Sequence, residues 1–110
     1  MNDGLLTVQL DRSERALIIR LAGEIDLSNA EQVQRRLESA TDGCSEVVMD
    51  LSQVEYLDSR GLRLIKQICN KAEREGAGLR LVAPPGSVAR QVLELARMHD
   101  YVEIRDSLEG

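Results

Sequence analysis

Apolar and polar residues alternate along three short stretches of this chain and recur at helical spacing along three others. Leu17, Ile19 and Leu21 alternate with Ala16, Ile18 and Arg20. Val47, Met49 and Leu51 alternate with Glu46, Val48, Asp50 and Ser52, and Leu79 and Leu81 with Arg80 and Val82. A period of two belongs to a strand with one buried face and one partly wet face. The pattern predicts strands over residues 16–21, 46–51 and 79–82, with short outer strands over 7–10 and 101–104. Ala30, Val33, Leu37 and Ala40 form one helical stripe. Leu62, Ile65, Ile68, Cys69 and Ala72 form a second, with Lys66, Gln67, Asn70, Lys71 and Glu73 mostly opposite. Val88, Val92 and Leu95 mark a third helix.

The punctuation agrees. Residues 11–15 make a polar turn, and Ala22-Gly23 stops the second strand. Ser28-Asn29-Ala30-Glu31 offers a capping box. Residues 52–58 read as a loop, and the second helix begins near Ser59. Gly76 and Gly78 mark its end. Pro84-Pro85-Gly86 breaks the chain before Ser87, a cap for the third helix, and Asp106-Ser107-Leu108-Glu109 stands ready to start another. The order is β-β-α-β-α-β-α-β. Helices between strands imply parallel pairing with right-handed crossovers. Alternation, rather than unbroken apolar runs, argues against helices on both faces. The fold class is therefore a single α/β domain: a mixed, mostly parallel sheet with its helices mainly on one face. One domain spans residues 1–110, with a core over about 7–105.

Composition narrows the function. The 19 acidic residues against 14 basic ones give a net charge of -5, which repels phosphate backbones and argues against nucleic acid as a partner. Tyr56 and Tyr101 are the only aromatic residues, too few for base stacking. No basic leader with a long apolar stretch appears, nor any run near the ~20 apolar residues of a membrane span. Cys44 and Cys69 lack a CxxC pattern and read as small buried hydrophobes. A cytoplasmic protein without membrane association or cofactor is expected.

Candidate chemistry concentrates in residues 47–62, where a strand leads through a short segment to Asp58-Ser59-Arg60-Gly61-Leu62 at a helix mouth, with Arg63 next. A helix start carries unpaired amides and about half a positive charge. A phosphate on Ser59 would meet those amides and add about -1.5 to -2 charge. Arg60 and Arg63 lie close enough in sequence to pair with it, Asp58 would oppose it, and Gly61 permits close approach of another backbone. Taken alone, Asp-Ser before a helix is more often a simple cap, by Asp58 or Ser59, than a modification site.

Asp50-Leu51-Ser52-Gln53-Val54 followed by Asp58-Ser59-Arg60-Gly61-Leu62 resembles the signature of the STAS domain, most closely of the bacterial anti-sigma factor antagonists. Leu21-Ala22-Gly23-Glu24-Ile25-Asp26 is similar to that family's L-x-G-E-[IL]-D, and the resemblance covers about residues 7–105. It implies a binding module, not an enzyme. Ser59 matches the serine phosphorylated by a partner that is both serine kinase and anti-sigma factor, of the histidine-kinase-like ATPase fold. The dephosphorylated antagonist binds that partner and frees the sigma factor. Phosphorylation abolishes the binding, and a metal-dependent serine phosphatase restores it. Asp26 matches an acid that helps recognition or phosphorylation. Asp26, Asp58, Arg60, Gly61, Leu62 and Arg63 are the expected partner contacts. No metal site is expected, and the state is monomer or weak dimer. Arg60 stands where Ser, Thr or Ala is usual and Arg63 where a second Gly is common, and the family's terminal helix is reduced to residues 107–110.

Three alternatives compete. A receiver domain would use Asp50 as phospho-acceptor, but needs an acidic pair after its first strand and a late lysine. A nucleophilic Ser59 needs a base; the sole histidine, His99, falls near the end of the third helix, where it meets helix carbonyls instead. The third alternative is a phosphorylation-independent STAS subunit of a lipid-transport ABC complex, against which the intact D-S-x-G-L speaks.

Overall fold

The chain steps across one sheet without doubling back. A computed structural model describes residues 2, 3 and 5–109, and its six strands lie in sequence order. They are β1 (Asn2–Asp3), β2 (Leu6–Ser13), β3 (Ala16–Ile25), β4 (Glu46–Leu57), β5 (Gly78–Val82) and β6 (Glu103–Arg105). The first three pair antiparallel; β3 through β6 pair parallel. Helices α1 (Ala30–Thr41), α2 (Ser59–Arg74) and α3 (Val88–Leu95) are the crossovers between the parallel strands. Right-handed crossovers that always advance in the same direction place their helices on the same face each time. Residues of all three helices accordingly share one core with Leu17, Ile19, Leu21, Val47, Met49, Leu51 and Leu81. The architecture is the one the alternation predicts; the two-residue β1 is an addition.

The face away from the helices is mixed. Arg20 and Asp11 pair there at 3.8 Å, while Asp50 is buried and accepts from the Ser52 N–H at 3.0 Å. After β6 the chain bends and turns instead of starting a helix. Arg90 holds that tail, donating to Ala83 O at 2.8 Å and Asp106 Oδ1 at 3.0 Å. Gly110 lies outside the described residues.

Five local expectations change. Residues 52–57 continue β4 as a strand, because β3 runs on through Gly23 and supplies a partner: Gly23 pairs with Val54, Glu24 with Tyr56 and Ile25 with Leu57. Two register shifts break the alternation there, which is how bulges hide a strand from a period-two reading. Gly23 sits at φ +111 with the Leu5 carbonyl 2.1 Å from where a Cβ would be, so it continues the strand rather than stopping it. On α3 the buried residues are Ala89 and Leu93; Val88 and Leu95 are exposed and Val92 only partly covered. The capping box does not form: α1 is preceded by Asn29, and the Ser28 hydroxyl donates instead to Asp26 Oδ1 at 2.6 Å. His99 lies beyond α3 in a separate 3-10 turn, Met98–Asp100, 3.7 Å from Asp100 Oδ1.

Candidate functional site

The extension of β3 and β4 sets the site. Their ends run side by side, and the Asp58 N–H donates to Ile25 O at 3.3 Å, so Asp26 and Asp58 leave the sheet together. The chain after β3 folds over Asp26, whose carbonyl accepts from the Ala30 N–H at 2.9 Å as α1 begins. Asn29 is buried; its Nδ2 donates to Glu24 O at 2.8 Å and its Oδ1 accepts from the Asp26 N–H at 3.1 Å. The Asp26 carboxylate accepts from both the hydroxyl and the N–H of Ser28, which holds its pKa below the ordinary carboxylate range.

Asp58 is the cap of α2. Its Oδ1 accepts from Arg60 N–H and Gly61 N–H, both at 3.0 Å, and its Oδ2 accepts from Leu27 N–H at 3.3 Å. One carboxylate thus fastens the helix start and the loop that precedes α1. Those two amides are spent, so a phosphate on Ser59 would not find them open as the sequence reading expects. Ser59 is the first helical residue, exposed, and its hydroxyl has no partner among the described residues. Of the two capping candidates, Asp58 performs the structural task and Ser59 is left free.

The remaining expected contacts divide by exposure. Arg60 and Arg63 are exposed, and neither side chain has an ion pair or hydrogen bond among the described residues. They line a shallow cleft between α1 and α2 with Glu31, Gln34 and Gln67. Leu62 is half-buried against the core. Gly61 is buried: a Cβ there would lie 2.4 Å from Leu57 Cδ1 and 2.9 Å from both Ile25 Cγ2 and Ile25 O. The backbone it lets approach is that of the molecule's own β3, which draws the helix start onto the strand ends.

Two side chains beside the site escape sequence reasoning. Leu27, 67% exposed, projects from the loop tied to Asp58; Tyr56, 49% exposed, precedes Asp58 by two residues. An apolar residue inside the polar run Asp26-Leu27-Ser28-Asn29 was the available signal for the first. The thiols contribute no nucleophile here. Both are free, Cys44 is buried, and burial pushes the Cys69 thiol up to about 11.

Comparison with known proteins agrees with this geometry. The family model of the STAS domain matches residues 7–110. The anti-sigma-F factor antagonist RsfB of Mycobacterium tuberculosis is 30% identical over 111 residues, covering 96% of this chain and 88% of its own. The crystal structure of an anti-sigma factor antagonist from Mycobacterium paratuberculosis superposes with a TM-score of 0.83 at 23% identity, over 94% of this chain and 88% of that one. The Bacillus cell fate determinant SpoIIAA in its phosphorylated form superposes with a TM-score of 0.71 at 20% identity, over 94% of both chains. With its sheet order, its D-S-x-G-L helix start and a family match across nearly its whole length, this chain belongs to the STAS-domain family.

Proposed function

We propose that this protein is an anti-sigma factor antagonist switched by phosphorylation of Ser59. The unphosphorylated protein binds an anti-sigma factor that is also a serine kinase of the histidine-kinase-like ATPase fold, and so releases the sigma factor. In the kinase step the Ser59 Oγ attacks the γ-phosphorus of ATP. The new Oγ–P bond replaces the bond to ADP, and the hydroxyl proton passes to the kinase. ATP and Mg²⁺ are held by the kinase. A metal-dependent serine phosphatase hydrolyses the ester and resets the switch.

One observation carries this reading: the Ser59 hydroxyl is exposed and uncommitted at the helix mouth, because Asp58 does the capping. The names of its relatives support the antagonist role, and the phosphorylated form of SpoIIAA supports a phosphate on this fold. The physics of the off-state follows. A dianion in a contact that must lose water costs desolvation, and Asp58 and Asp26 nearby add repulsion. A loss of about 3 kcal/mol lowers affinity by more than about a hundredfold.

The test is incubation with the anti-sigma factor kinases of the same genome, ATP and Mg²⁺, followed by phosphosite mapping. The expected phosphate is on Ser59; phosphate elsewhere with none on Ser59 overturns the assignment. By calorimetry, Ser59→Ala keeps kinase affinity and Ser59→Asp weakens it. Equal affinity of the two would remove the switch.

A further inference from the structure

If Ser59 is the switch, the charge on the helix that carries it specifies what reads it. Helix α2 holds Arg60, Arg63, Lys66, Lys71 and Arg74 against the single acid Glu73, a net of +4 in a chain of -5. The other residues therefore sum to -9. Ser59, Arg63, Lys66, Asn70 and Arg74 follow one another at three- and four-residue spacing and are all exposed, so they form one stripe with Ser59 at its head. The stripe is about 22 Å long. Its opposite side is fixed to the core through Leu64, Ile65, Ile68 and Ala72. Of the five cations only Lys71 is matched, by Asp42 at 2.6 Å and Glu75 at 3.1 Å. Arg60, Arg63, Lys66 and Arg74 have no ion pair or hydrogen bond among the described residues. Glu31, the nearest acid across the α1–α2 cleft, is engaged by Arg35.

We infer that the exposed face of α2 is a basic docking ridge for an acidic surface of the partner kinase, and that phosphate on Ser59 disarms it by engaging Arg60 and Arg63 in place of the partner's carboxylates. Three unmatched cations along the stripe, with Arg60 beside its head, on an otherwise acidic body have their complement in a partner patch of carboxylates. A nucleic acid fits less well: a duplex longer than the ridge runs onto the acidic remainder, where its backbone is repelled. The phosphate's donors follow from the capping geometry. Asp58 already holds the amides of Arg60 and Gly61, which leaves the amide of Ser59 itself and, as cations, the guanidiniums of Arg60, beside Ser59, and Arg63, one turn on. Capturing them removes two of the ridge's free cations, and the phosphate lowers the net charge of α2 from +4 to about +2.

The experiment measures association of the purified kinase with the full chain by stopped flow, at about 0.05 and 0.5 M salt. The wild-type rate should fall about tenfold or more with salt, and Arg63→Glu/Lys66→Glu/Arg74→Glu, with unchanged circular dichroism, should lose a similar factor at low salt. Phosphorylation and Arg60→Gln/Arg63→Gln should weaken binding less than additively, because both remove the same contacts. Salt-independent association, an unaffected charge reversal or full additivity overturns the ridge while leaving the Ser59 switch standing. A kinase that neither binds nor modifies the protein overturns the switch. In that case amide shifts on adding a decaglutamate peptide decide the ridge: changes along Ser59, Arg63, Lys66, Asn70 and Arg74 support it, and scattered changes overturn it. Tighter binding of a twelve-base-pair DNA duplex than of the peptide overturns the protein-partner assignment.

Discussion

At the start of α3, Ser87 spends its hydroxyl on its own helix, accepting from the Arg90 N–H at 3.2 Å; at the start of α2, Asp58 takes that task and Ser59, one residue later, spends nothing. Both starts read alike in sequence, as a capping residue before a helical stripe. They differ in what remains available afterwards. A serine oxygen held as a cap is fixed and partly covered, and modifying it unties the helix. A serine just inside an aspartate cap can be modified while the cap stays in place. At the start of α2 the capping task and an uncommitted hydroxyl thus fall on adjacent residues, Asp58 and Ser59, whereas at the start of α3 a single residue serves the fold alone.

The largest effect expected from breaking this contrast is on the packing beneath α2. The third residue of α3 is Arg90, with room for a long side chain; the third residue of α2 is Gly61, with room for none. Gly61→Ala pushes a methyl group into Leu57 and the Ile25 backbone and should destabilise by about 1–3 kcal/mol, only partly offset by the better helix propensity of alanine. Chemical denaturation measures this, and an unchanged or raised midpoint contradicts the close approach. Asp58→Ala comes next. It releases the amides of Arg60, Gly61 and Leu27 together and should cost about 0.5–2 kcal/mol, while Asp58→Asn keeps an acceptor and most of the stability. Equal loss from Asn and Ala would show that the carboxylate's charge, and not its capping geometry, holds the helix start.

How far the site was legible follows from the same residues. The sheet's core strands were, because Leu17, Ile19 and Leu21 beside Val47, Met49 and Leu51 keep an unbroken period of two on one face. The second half of β4 was not. Gln53, Glu55 and Tyr56 are exposed, and the shifts opposite Ala22 and Glu24 break the alternation where Val54 and Leu57 still point inward. The buried side of α3 was misread because its contacts fall on Ala89 and Leu93, while the more apolar-looking Val88 and Leu95 face outward. On α2 the stripe was nearly complete but omitted Leu64. The Asp58-Ser59 pair was visible as a helix mouth. Which of the two caps depends on the side-chain geometry of Asp58 against two amides, and both residue types are good caps. That Arg60 and Arg63 are unmatched was equally hidden, since the nearest acid, Glu31, comes from a different helix and is already paired with Arg35.

Serine-to-alanine exchanges give a smaller and more direct comparison. Ser87→Ala should cost about 1 kcal/mol by freeing the Arg90 amide, whereas Ser59→Ala should stay within about 0.5 kcal/mol of wild type. The two midpoints, measured side by side, separate a structural serine from an available one. Similar losses at both positions would mean that the Ser59 hydroxyl has a structural partner after all.

The smallest expected effect concerns Asp26, the acid just beyond the end of β3. Ser28 donates to Asp26 through both hydroxyl and amide, and these bonds favour the charged carboxylate. The folded pKa therefore lies below the unfolded value of about 3.9, so protons bind more readily to the unfolded chain in that range. Whatever stability the pair contributes is present above about pH 4 and is lost as pH falls through the folded pKa. Ser28→Ala removes the first and largest of the causes, the hydroxyl bond, and leaves the backbone one. The Asp26 carboxyl should then titrate at higher pH, nearer the ordinary value, when followed by NMR, with stability at neutral pH little changed. Identical titration in both proteins would mean that Ser28 does not hold Asp26 in solution, and the ordered loop between β3 and α1 would then depend on Asn29 and on the Leu27 amide held by Asp58.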